Sequence, residues 1–206
     1  MKQGEKMTDK ETAWDKILQI KTIGRDDTSS DDHRFAYEPT PYCVLERLEQ
    51  SGLFGKDNVL LDYGCGKGRV GFYLSNRTRL KAIGIEYDER IYRMAMENKK
   101  TASQKTNVEL LNVKAEEYEP SENIDRIYFF NPFSLEILQK VMPKLINSYY
   151  ASPREMLLFF YYPSDEYMCY LMTLDELDFY DELDLDDLFD TNDARERIMI
   201  FRLGEY

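Results

Sequence analysis

The sequence predicts an α/β fold: three layers around a doubly wound, mostly parallel sheet. Three observations lead there. Residues 59–74 read VLLDYGCGKGRVGFYL, a short apolar run, then glycines at alternate positions, then apolar residues at helical spacing. That order is strand, tight loop, helix. Further apolar runs recur at 80–86, 108–113, 125–130 and 156–162, with stretches of helical periodicity between several of them. Strands alternating with helices are the pattern of parallel βαβ units. The chain has 206 residues, the size of one domain with a sizeable core.

The elements follow in order. Residues 1–10 are polar and expected to fray. Residues 12–23 carry Trp14, Ile17, Leu18 and Ile20 at amphipathic spacing and predict a short helix. Residues 24–32 (GRDDTSSDD) read as a loop. Thr40 and Pro41 suit the N-cap and first position of a helix over 42–51, with Val44, Leu45 and Leu48 inward and Gly52 at its end. The strand at 59–61 is closed by Asp62. After the strand at 80–86, residues 88–103 predict a helix with Ile91, Met94 and Ala95 inward. The strands at 108–113 and 125–130 come next. Ser134 suits the cap of a helix that Pro143 kinks or restarts. The run MLLFFYY at 156–162 has the continuous apolar character of a strand covered on both faces. A short helix to about 172 and a last strand at 197–203 complete the chain. Residues 1–39 are expected to form an N-terminal extension that covers the site, and 40–206 the main domain.

The glycine loop carries the chemistry. Gly64, Gly66 and Gly68 let the backbone approach a ligand closely, and the helix that follows presents unpaired N–H groups to it. Asp62, Gly64, Gly66 and Gly68 form D-x-G-x-G-x-G, which resembles the cofactor loop of class I S-adenosylmethionine-dependent methyltransferases. The resemblance implies a seven-stranded sheet with an antiparallel last strand and S-adenosyl-L-methionine as cofactor. It also implies that Asp62 meets the methionine ammonium in a loop of Gly64, Cys65, Gly66 and Gly68. Glu86, 24 residues after Asp62 at the end of the second strand, is placed to accept from both ribose hydroxyls. Tyr87 follows and packs against the adenine. Where relatives carry an acid near the adenine amino group this chain has Lys114, which accepts no hydrogen bond, so Ala115 and Glu116 or the backbone must serve. Gly66, Gly68 and Gly71 also satisfy the dinucleotide pattern G-x-G-x-x-G, which keeps an NAD-dependent oxidoreductase open as an alternative. A non-catalytic, methyltransferase-like binding protein is another.

Asn131-Pro132-Phe133 follows the fourth strand and partly resembles the N-P-P-aromatic motif of amino-group methyltransferases. In that motif an Asn side chain and a proline carbonyl accept from a nitrogen and the aromatic ring stacks on the substrate. These three residues are the catalytic candidates, with Asn131 also touching the cofactor. By the same resemblance Phe35, Tyr37 and Tyr42 cover the substrate, and His33, the only histidine, is either a base or a surface residue.

Charge narrows the partners. Net charge is −12, and ten of the 39 acids lie between Asp175 and Asp193 with no Lys or Arg among them. No broad basic face is available for a nucleic acid; Lys99, Lys100 and Lys105 could still form a local patch, but a small molecule or a protein side chain is the expected substrate. The acidic stretch predicts a strand or helix with a wet face, or a docking patch for a basic partner. Three scattered cysteines make neither a metal-ligand set nor a disulfide framework. With no membrane-spanning run and no apolar signal core, the expected compartment is the cytoplasm.

Overall fold

A computed structural model describes residues 3–26, 37–190 and 193–204, with only the backbone of residues 3–8. His33 and Phe35 lie outside the described residues. The element order is α1 (Gln3–Leu18), α2 (Tyr42–Gln50), β1 (Val59–Tyr63), α3 (Arg69–Thr78), β2 (Lys81–Glu86), α4 (Glu89–Thr101) and β3 (Val108–Asn112). Then come a 3-10 turn (Ala115–Glu117), β4 (Arg126–Phe130), α5 (Leu135–Ala151), β5 (Met156–Tyr161), α6 (Asp165–Leu171), β6 (Leu177–Asp184), a second 3-10 turn (Asp186–Leu188) and β7 (Arg197–Leu203). The seven strands form one sheet in the order β3-β2-β1-β4-β5-β7-β6. β7 runs antiparallel to both its neighbours, and the other pairs are parallel. The fold expected from the sequence is therefore present.

The period of two along each strand divides the core. Leu60, Tyr128, Leu157, Phe159 and Ile200 pack with α1, α2, α3 and Ala95 of α4 on one face. Leu61, Phe129, Leu158, Phe160 and Phe201 pack with α5 and α6 on the other. All six residues of β5 are buried, as its continuous apolar run requires. The chain leaves β1 for β2 and β3 on one side and returns to β4 on the other. Ligands of open α/β sheets bind at such a reversal, beyond the carboxyl ends of the strands.

Four local expectations are corrected. The first helix begins at Gln3 rather than near residue 12; this segment holds Gln, Glu, Lys and Met, all good helix formers, without an apolar stripe to announce it. In that helix Leu18 is buried while Ile17 is 58% exposed. Thr40 does not cap α2: its hydroxyl pairs with the Tyr128 hydroxyl at 3.0 Å, and Glu11 of α1 accepts from the Tyr42 N–H at 2.9 Å instead. Met94 is exposed rather than inward. Helix α5 continues through Pro143 as one element rather than restarting there, and Ser134 at its N-cap makes no side-chain capping bond. The acidic stretch resolves as β6, an exposed edge strand, and the turn after it.

Candidate active site

At the reversal between β1 and β4 a cavity opens, lined by the strand ends, the glycine loop and residues 37–40. Gly64, Gly66 and Gly68 have φ of +71°, +56° and +88°, the left-handed region that glycine tolerates. Space is equally decisive at all three, with the Phe72 ring 2.7 Å from a Cβ on Gly68. A Cβ on Gly64 would lie 2.6 Å from Pro132, and one on Gly66 would lie 2.3 Å from the Tyr37 ring. The Gly64 and Cys65 N–H groups both donate to the Ile85 carbonyl at 3.0 Å, which fastens the loop to β2.

Asp62 and Glu86 sit in this cavity, 2% and 6% exposed. The Glu86 carboxylate accepts from the Gly66 N–H at 3.0 Å and the Asp88 N–H at 2.9 Å. One bond on each oxygen fixes its orientation and leaves lone pairs for two further donors. Burial pushes its pKa up to about 7 against the pull of those N–H groups. Asp62 Oδ2 has no hydrogen-bond partner among the described residues. Burial first, and the Glu86 charge second, raise the Asp62 carboxyl to about 8. A buried, unbonded carboxylate oxygen is costly, and a bound cation is what relieves it.

Cys65, Tyr87, Ala115 and Glu116 also line the cavity. Asn112 holds the backbone there, donating to the Glu86 and Tyr87 carbonyls at 2.8 and 3.1 Å. Lys114 pairs with Glu117 at 3.2 Å, and both are exposed, so of this stretch Ala115 and Glu116 reach the cavity and Lys114 does not. Gly66 and Gly68 shape the loop without lining the cavity.

The Asn131-Pro132-Phe133 turn closes the floor. Asn131 adopts φ +40°, a strained value for a residue with a side chain, and its Oδ1 is buried without a hydrogen bond among the described residues. Phe133 lines the cavity too, but its ring packs edge-on against Tyr63 and Phe129 at 6.3 and 6.2 Å. It is 4% exposed. The ring expected to stack on the substrate is therefore a core ring; Phe130, half-buried on the cavity wall, is the accessible one.

Of the two covering tyrosines, Tyr37 lies over Gly66, its hydroxyl donating to the Thr22 carbonyl at 2.6 Å. Tyr42 is corrected. It is wholly buried away from the cavity, between Trp14 and Tyr73, and donates to Asp15 Oδ1 at 2.7 Å.

Sequence reasoning missed Arg69, whose guanidinium is the cation among the lining residues. Its Nε donates to Thr22 Oγ1 at 2.7 Å and its Nη1 to the Thr40 carbonyl at 3.0 Å and to Glu11. Nη2 makes no hydrogen bond among the described residues and lies 3.9 Å from Asp15 Oδ1. The signals were present. Arg69 is a charge directly before the apolar stretch 70–74 of α3, and Glu11 and Asp15 stand one turn apart on α1.

The sheet order and its antiparallel last strand are those of the α/β methyltransferase fold. Residues 60–152 match the methyltransferase domain family. A protein-lysine N-methyltransferase of Saccharolobus islandicus (strain REY15A) is 32% identical over 63 residues, 30% of this chain and 39% of that relative's length. An RNA methyltransferase from Salinibacter ruber, solved with S-adenosyl-L-homocysteine, superposes with a TM-score of 0.60 at 18% identity over 82% of this chain and 95% of that one. The N-methyltransferase NodS from Bradyrhizobium japonicum WM9 gives 0.58 at 15% identity, over 80% and 94%. The fold is thus that of the α/β methyltransferases, and the stretch from β1 to α5 is similar to their domain family. No helix among the described residues is long and apolar enough to cross a membrane.

Proposed function

We propose that this protein binds S-adenosyl-L-methionine in the cavity between β1 and β4 and methylates a nitrogen, the side-chain amine of a protein lysine. The observation that carries cofactor binding is Asp62. Its unbonded oxygen, buried beside the glycine loop, calls for a donor, and an amino-acid ammonium supplies one together with a balancing charge. The residues present suit the rest of that ligand. Glu86 keeps acceptor capacity for the ribose hydroxyls, and Arg69 Nη2 suits the methionine carboxylate. Gly64 and Pro132 leave no side chain between loop and floor.

The sulfonium supplies a methyl carbon that is already activated. The chain's residues then have to orient and shield. The lysine must arrive as the neutral amine, its ammonium proton left to solvent; Asn131 Oδ1, buried and unbonded, then accepts from one of its N–H groups and so aims the nitrogen lone pair. The Tyr37 ring over Gly66 keeps water from the loop. Orientation of this kind contributes roughly 7–11 kcal/mol in well-aligned systems, without a general base. The similarity to a protein-lysine N-methyltransferase favours lysine as the acceptor.

Radioactive methyl transfer tests this. Purified protein with labelled cofactor should deposit alkali-stable label in lysine residues of protein substrates. Asn131→Ala should keep cofactor affinity within about threefold and lose at least about a hundredfold in transfer rate. Label in nucleic acid, or in alkali-labile esters, would overturn the lysine reading. Undiminished turnover in Asn131→Ala would reduce the turn to a structural corner.

A further inference from the structure

Beside Asp62 the cavity wall holds a second orphan, a proton rather than an oxygen. Tyr128 stands opposite Asp62 in the β1–β4 register, and both line the cavity. The Tyr128 hydroxyl shares one hydrogen bond, at 3.0 Å, with the hydroxyl of Thr40 on the covering segment. Thr40 lines the cavity too, and both residues are buried. Two hydroxyls carry two protons, and one bond between them uses only one. The other proton meets no acceptor among the described residues. Burial holds the Tyr128 phenol well above its ordinary range, so it does not shed its proton.

Thr40 also fixes a charge. Its carbonyl accepts from Arg69 Nη1 at 3.0 Å, while the buried Arg69 Nη2 makes no hydrogen bond among the described residues. Spare cationic N–H groups and a spare hydroxyl proton therefore stand on the backbone side and the side-chain side of one residue. Donors in excess, some of them charged, call for an anion with more than one acceptor oxygen. Asp62 Oδ2, next to Tyr128 on the neighbouring strand, calls for the opposite, a donor. The chemistry that answers both is an amino-acid zwitterion. Pro39 and Pro41 on either side of Thr40 restrict its backbone, which keeps its hydroxyl in place.

Building on the reading of this cavity as the S-adenosyl-L-methionine site, we propose that the Thr40–Tyr128 hydroxyl pair binds the methionine carboxylate together with Arg69, and so selects nucleosides that carry a complete amino-acid end. The pair determines specificity and touches no reacting atom. The hydroxyl that the sequence assigned to the cap of α2 serves the cofactor instead.

The test is calorimetric titration with two ligands, S-adenosylhomocysteine and its decarboxylated analogue, which lacks only the carboxylate. The proteins are wild type and the double variant Thr40→Val, Tyr128→Phe. Each replacement keeps the shape of its side chain, and removing both partners of a buried hydrogen bond is close to neutral for stability. Wild type should bind S-adenosylhomocysteine at least about tenfold more tightly than the analogue. The double variant should lose about tenfold in affinity for S-adenosylhomocysteine and stay within about twofold for the analogue. Equal weakening of both ligands, or of neither, would overturn the subsite and leave the pair as core packing. Equal affinity of wild type for the two ligands would overturn it without any variant. Binding of neither ligand by wild type would overturn the cofactor reading itself, and the subsite with it.

Discussion

The two halves of the cavity are built differently. On the β1–β2 side, one short loop and one carboxylate hold each other through backbone N–H groups, with Gly66 donating to Glu86 and Gly64 to Ile85. On the β4–β5 side, Phe130 lines the cavity and distant side chains stack behind it, Tyr161 on Phe130 and Glu196 on the Tyr161 hydroxyl. Both β4 and β5 end alike, in a strained residue before proline: Asn131 at φ +40° and Tyr162 at φ +52°. A serine then stands at the N-cap of each following helix, and only Ser164 makes the capping bond. The backbone-held half suits a ligand that never changes. The side-chain half can be redrawn without disturbing it.

That contrast can be broken, first, at Asp62. Asp62→Asn should lower affinity for S-adenosylhomocysteine by at least about a hundredfold, since a neutral amide cannot balance the ammonium. Undiminished affinity in the variant would show that the backbone-held side does not grip the ligand through this carboxylate.

Gly66→Ala should act next most strongly. Its Cβ would have to displace the Tyr37 ring from 2.3 Å, at a φ of +56° that alanine resists by about 1 kcal/mol or more. Cofactor affinity should fall roughly tenfold or more while the fold persists, read by calorimetry and circular dichroism. Wild-type affinity would show that the covering tyrosine is not part of the site.

The gentlest effect is on pH dependence. Asp62 and Glu86 are raised to about 8 and about 7 in the ligand-free protein. Unfolded, they would titrate near 4. Between about pH 4 and 8 the folded chain holds protons that the unfolded chain has lost, so these two groups make stability fall as pH rises. Melting temperatures from pH 5.5 to 8.5 should therefore decline more steeply for wild type than for Asp62→Asn. Saturating S-adenosylhomocysteine should flatten the wild-type slope. An Asp62→Asn profile as steep as wild type would contradict the assignment of the proton.

The same contrast explains what was legible. Asp62, the glycines and Glu86 are read from the chain because a local backbone requirement leaves glycine at fixed spacing. The strands show because buried runs such as 156–161 are apolar throughout. Tyr42 and Phe133 were misplaced because a motif gives order along the chain, not the direction of a ring. Tyr42 turns into the layer beneath α1, where Asp15 satisfies its hydroxyl. Phe133 fills the floor between Tyr63 and Phe129. Arg69 and the Thr40–Tyr128 pair stayed hidden because their partners are far away in sequence: Glu11 and Thr40 for Arg69, and Thr40 and Tyr128 for each other.

The most direct measurement is calorimetric titration of S-adenosylhomocysteine at pH 7 in two buffers of different ionisation enthalpy. If Asp62 binds the ligand's ammonium as its carboxylate, wild type should bind with micromolar or tighter affinity and release protons. Asp62→Asn should show no measurable heat. Binding without proton release, or equal affinity in the variant, would contradict the central claim.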